Sequence, residues 1–245
     1  MTHREEDMST ETQTPTATAA AKTLTLEDLM AMDARALDQV MRRGHPLDPD
    51  VLAGRMYLGV DLSLPGWARK ILWHTFRKTF VRDEATGDVR GWNVRMEQHG
   101  IDGPRIPLTD RRGEPITFGH YRVRSARGLR FPKGWSGAHF LDYGIAGNTL
   151  TDPAALGYTP LVAVNAGSQD LLLGWEVFKL GPAFLPMPLY WALRYEGPLD
   201  RVVAPPRRPR WPLRGCAARA SRSSRLGERW CSRRRRRRCR SDPSR

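Results

Sequence analysis

Residues 80–98, FVRDEATGDVRGWNVRMEQ, decide how this chain folds. A polar run around Thr86-Gly87 separates two segments, and the second alternates cleanly: Trp92, Val94 and Met96 fall opposite Asn93, Arg95 and Glu97. Period-two alternation puts each set of side chains on its own face of a strand. The stretch therefore predicts a β-hairpin with one face buried and one wet.

Working outward, the same pattern recurs. In RMYLGVDLSL (55–64), Met56, Leu58, Val60 and Leu62 alternate with Tyr57, Gly59 and Asp61. PITFGHYRVRS (115–125), AHFLDYGIAGN (138–148) and PLVAVNAGSQDLLLGWEVFKL (160–180) follow, the last with NAGSQD as a hairpin loop. In MPLYWALRYEG (187–197), Leu189, Trp191, Leu193 and Tyr195 share a side. About eight strands with short connections predict a mainly β (α+β) fold. Its sheet is antiparallel and forms a closed barrel or a strongly curved sheet, because closure removes exposed edges.

Two helices accompany the strands. TLEDLMAMDARALDQVMRRG (25–44) offers Thr25 as N-cap, and Gly44 ends it. Leu26, Leu29, Met30, Leu37, Val40 and Met41 share one helical face. LSLPGWARKILWHTFRKTF predicts a second, amphipathic helix over 65–80, after the first strand. Trp67, Ile71, Leu72, Phe76 and Phe80 form its apolar side, and Arg69, Lys70, Arg77 and Lys78 its basic side. Such a helix suits an anionic membrane surface or the lid of an apolar cavity; the plainer reading is a solvated face on a core helix. By strand count and length the whole resembles the lipocalin-like architecture. The Gly-x-Trp that many such barrels carry near their first strand is absent here.

Charge is partitioned unevenly. The chain has a net charge of +14, yet residues 207–245 alone hold 16 arginines and two acids, which leaves residues 1–206 neutral. From Pro205 onward only ten residue types occur, all encodable by G- and C-rich codons, and all three cysteines fall there at spacings that match no zinc pattern. An Arg-rich arm of this kind would bind nucleic acid through phosphates. The competing reading is an out-of-frame translation with no selected role. The expected organisation is a disordered tail over 1–23, one barrel domain over 24–204 and a disordered tail over 205–245. With no signal-like apolar core after a basic start and no run of eighteen apolar residues, the expected location is the cytoplasm.

No phosphate-binding loop, metal spacing or nucleophile elbow is present, so neither cofactor nor metal is expected. What stands out are polar residues within apolar strands. Asp142 lies between Leu141 and Tyr143, His120 shares a face with Arg122 and Arg124 and, by simple alternation, with Phe118, and Asn93, Asn148 and Asn165 lie in or beside strands. The leading expectation is non-catalytic binding of a small hydrophobic or lipid-like molecule in the barrel. Trp92, Tyr121, Tyr143 and Trp191 are its expected walls, and His120 or Asp142 its polar anchor. The alternatives are an enzyme acting on a lipid-like substrate with His120 and Asp142 as an acid–base pair, and nucleic-acid binding through the tail. The plainer reading of Asp142 is a cross-strand ion pair with Arg122 or Arg124.

Overall fold

A computed structural model describes residues 22–63, 74–148 and 153–206. The expected arms over 1–23 and 205–245 fall almost wholly outside these residues.

Eight antiparallel strands among the described residues close into a barrel in strict sequence order. They are β1 (Arg55–Asp61), β2 (Thr75–Arg82), β3 (Val89–Arg95), β4 (Thr117–Ser125), β5 (His139–Asp142), β6 (Tyr158–Ala163), β7 (Leu171–Leu180) and β8 (Ala183–Pro198). Closure comes from β1, which pairs β2 on one side and β8 on the other, with Gly59 opposite both Phe76 and Leu193. Each of these strands thus has a ladder partner on either side, which closes the sheet on itself. The opening hairpin forms as its sequence predicts: Arg82 pairs Val89, and Gly87 takes the left-handed conformation in the turn with φ 73°.

The helix expected over 65–80 is corrected where the structure describes it, since Thr75–Arg82 is strand β2. Residues 64–73 lie outside the described residues. The spacing of Phe76 and Phe80 fits a helical repeat and a strand repeat equally well. What decides is the pairing of β2 with β1 and β3, which supplies all the ladder bonds of a central strand.

The single helix expected over 25–44 is two. Helix α1 (Leu26–Met30) opens with a capping box between Thr25 and Asp28. Asp33 then caps α2 (Ala34–Arg43) by accepting the Ala36 N–H, which restarts the helix instead of continuing it. The predicted apolar face does its expected work: Leu26, Leu29, Leu37 and Met41 pack on the outside of the barrel against Leu58, Val60, Val162, Leu173 and Ala192. A third, short helix α3 (Pro49–Leu52) places Leu52 across one end of the barrel beside Tyr57, Phe80 and Leu172.

The opposite outer wall is covered too. Leu199 and Val203, following β8, pack on Trp92, Val94 and Met96, and Arg90 donates to the Val203 carbonyl at 2.9 Å. Both faces of several strands are therefore buried.

Candidate functional site

The inward face of the barrel is Tyr57 and Asp61 on β1, Phe76, Lys78 and Phe80 on β2, Asn93 on β3, and Leu172 and Glu176 on β7. One half of the interior is filled by Tyr57, Phe80, Tyr121, Leu141, Leu161 and Leu172, with Leu52 behind them. The other half holds an open cavity of about 290 Å³. Its apolar walls include Phe76, Phe118, Phe178, Leu189 and Trp191, and its polar groups are Asp61, Lys78, Asn93, Tyr143 and Glu176.

Three glycines make this interior possible. Gly59, Gly91 and Gly174 stand directly across the ladder from Phe76, Tyr121 and Trp191. A methyl group on Gly59 would lie 2.3 Å from the Phe76 ring, on Gly91 2.4 Å from the Tyr121 hydroxyl, and on Gly174 2.3 Å from the Trp191 ring. Each aromatic side chain occupies the space over the bare backbone of its neighbour.

Lys78 sits where the filled and hollow halves meet. It is 1 % exposed, and its Nζ donates to Asn93 Oδ1 and to the Tyr143 hydroxyl, both at 2.8 Å. Asn93 is itself oriented, because its Nδ2 donates to the Gly119 carbonyl at 3.1 Å. Aromatic rings surround the amine: its Nζ lies 4.5 Å from the centre of the Tyr121 ring, 4.6 Å from Trp191 and 5.4 Å from Tyr143. Loss of hydration pushes the Lys78 amine down to about 7, against the opposing pull of the Glu176 carboxylate. The same burial pushes Glu176 up, against the attraction of Lys78 and hydrogen bonds from Thr159 and Trp191. Thr159 donates to Glu176 Oε2 at 3.2 Å. The cavity thus holds an amine and a carboxyl, each disfavoured in its charged form by low polarity and each supported by the other.

Of the residues expected from sequence, Tyr121, Tyr143 and Trp191 are brought together around this amine. Trp92, His120 and Asp142 face outward instead. Trp92 lies under the segment that carries Leu199 and Val203, and His120 rests against it with ring centres 6.2 Å apart. Asp142 accepts from the Gly144 N–H at 3.0 Å and is hydrogen-bonded by Tyr158; burial raises its carboxyl above the ordinary range. Neither His120 nor Asp142 anchors anything inside the barrel.

The reason for His120 is a bulge. Gly91 pairs Tyr121 but Asn93 pairs Phe118, so one extra residue is inserted in β4 around Gly119, which takes φ 49°. The insertion turns Phe118 and Tyr121 both inward, and His120 goes out with Arg122. Arg122 and Arg124 pair with Asp83 and Asp88 of the β2–β3 hairpin, rather than with Asp142. Asn148 and Asn165 are structural clamps. Asn148 bridges the His120 backbone on both its N–H and carbonyl, and Asn165 does the same for Leu24.

Sequence reasoning missed Lys78 and Glu176. The available signal was period two: Phe76, Lys78 and Phe80 alternate with Thr75, Arg77 and Thr79, which puts a lysine on an aromatic face. Among the described residues no cluster of three metal-ligating side chains occurs, and no helix is long and apolar enough to cross a membrane. No protein-family model matches the chain, and none of the curated proteins does.

Proposed function

We propose that the protein binds a small hydrophobic molecule inside the barrel, with Lys78 as the polar anchor in place of His120 or Asp142. The observation that carries this reading is the cavity of about 290 Å³, whose aromatic walls surround a single buried amine. That volume lies at the lower edge of the roughly 300–1,000 Å³ typical of small-molecule sites, and a few placed polar groups in an apolar lining are their usual composition. It suits one or two rings, or a short chain, rather than a long lipid. The Phe76–Gly59 and Trp191–Gly174 pairs hold the walls in place before a ligand arrives, so little ordering cost falls on binding.

The test is titration with N-phenyl-1-naphthylamine, whose emission rises in apolar surroundings. A saturable rise is expected for the native chain, and its loss for Ala154→Phe, which puts a ring into the cavity that Ala154 lines. Equal binding by both proteins, or none by either, overturns the reading.

A further inference from the structure

We infer that Lys78 captures an apolar aldehyde or ketone as an imine, with Glu176 as the carboxyl that serves the iminium. The inference rests on the cavity reading above and names its ligand class.

Its first support is the hydrogen-bond count at Nζ. Among the described residues Nζ makes two hydrogen bonds, both donated, to Asn93 Oδ1 and to the Tyr143 hydroxyl. A neutral –NH₂ has two N–H groups, so these two acceptors satisfy it and leave its lone pair for chemistry. A structural ammonium would be expected to find a third acceptor or a close carboxylate, as the exposed Lys133 does with Asp38 at 3.2 Å. The second support is location. Lys78 lines the cavity at its boundary with the packed half, so a ligand filling the cavity lies against it. A lysine desolvated in an apolar pocket is the arrangement that turns an amine into a nucleophile toward carbonyl groups. The lowered proton affinity at Lys78, to about 7, agrees with this geometry. The third support is Glu176, which reaches the same cavity from β7 and is held toward its protonated form by burial.

The step balances without any oxidant or reductant. The Lys78 lone pair attacks the carbonyl carbon, and one amine proton passes to the carbonyl oxygen, giving a carbinolamine. The Glu176 carboxyl then protonates the hydroxyl, which leaves as water while the C=N bond forms. The products are a protonated imine on Lys78, a Glu176 carboxylate facing it as counter-ion, and one water. Noncovalent contacts with Phe76, Phe118 and Trp191 would hold the apolar remainder of the ligand.

The experiment treats the full chain with 2-naphthaldehyde and cyanoborohydride just above neutral pH, followed by intact mass and peptide mapping. In parallel, quenching of tryptophan emission follows binding of 2-naphthalenemethanol, which has the same ring but no carbonyl. The expected result is one adduct, on Lys78, formed on the order of a hundredfold faster than on exposed lysines. Lys78→Met should lose that adduct, while cooperative denaturant unfolding shows that it is folded. Glu176→Gln should slow the adduct by about a hundredfold while its unfolding stays cooperative. Alcohol binding with no adduct, or with adducts spread over Lys22, Lys133 and Lys179, overturns the imine and leaves the cavity reading intact. Failure of both probes to bind brings down the cavity reading and the imine with it.

Discussion

The two halves of the barrel are built from the same strands and differ in what fills them. In the half closed by α3, aliphatic and aromatic side chains meet across the axis, as Tyr57, Phe80 and Tyr121 do edge to face, at 5.5 Å and 5.6 Å between ring centres. In the other half the inward positions carry Lys78, Asn93 and Glu176, and the rings of Phe76 and Trp191 lie back over glycines. Eight strands leave an interior that side chains can just fill. A hollow therefore requires side chains that stay at the wall. The packed half stabilises the fold, and that stability offsets the cost of holding a desolvated amine and carboxyl in the hollow half.

The comparison can be broken at Lys78, where the largest effect is expected. Its folded-state proton affinity is lowered from 10.5 to about 7, so the neutral amine is the form the fold tolerates. Between those values the unfolded chain holds a proton that the folded chain does not, so this contribution to stability rises with pH and is lost as pH falls through about 7. Lys78→Met removes the penalty. The variant should be more stable than the native chain near neutral pH by several kcal/mol, roughly 3–5, with the gap closing as pH approaches that of a free lysine. Parallel denaturant titrations across this range give the answer, and a constant gap would show that Lys78 is not desolvated. Glu176 faces the same amine and has the opposite sign. Its raised affinity means that its contribution falls as pH rises out of the ordinary carboxylate range, and Glu176→Gln should remove that slope.

Next in size is the packed half itself. Leu172→Ala, at a fully buried position, should cost about 2–5 kcal/mol, whereas Leu189→Ala on the wall of the existing cavity should cost well under half as much. Equal losses in chemical denaturation would mean that the two halves are packed alike. Smaller again is Gly174→Ala, which drives a methyl into the Trp191 ring; about 1–3 kcal/mol is expected, with weaker naphthylamine binding as the ring moves over the cavity. Smallest is Asp33→Ala, which removes the N-cap of α2 outside the barrel. It should cost about 1 kcal/mol in thermal unfolding and leave ligand binding unchanged.

The architecture was largely legible, and the site was half legible. Tyr121, Tyr143 and Trp191 each share a face with an aliphatic residue two positions away, Val123, Leu141 and Leu193, and they line or abut the amine. His120 shares a face with Phe118 by simple alternation, but a single glycine bulge in β4 turns Phe118 inward and leaves His120 outside with Arg122, and the sequence FGHYRV does not show where the extra residue is absorbed. Trp92 was misplaced for another reason. Alternation shows which residues share a face, but an apolar face points inward only if nothing covers the outside. Here α1 and α2 cover one flank, and Leu199 with Val203 covers another. In the 80–98 stretch the inward side chain is Asn93, not its apolar neighbours.

By itself the sequence determined that strands outnumber helices, that they follow one another through tight turns, and that Thr25 starts a helix. Each of these is local, encoded in period, cap and turn residues within a few positions. Only the tertiary structure decided which face of each strand looks inward, that residues 75–82 are strand, and that Lys78 meets Asn93 and Tyr143 and shares a cavity with Glu176. Those facts depend on partners far away in sequence, as Arg55 is from Pro198, on ladder pairing and on what covers the outer wall. A lysine in a strand has the same letter whether it is solvated or sealed, and its chemistry follows from the surroundings that closure of the barrel brings to it.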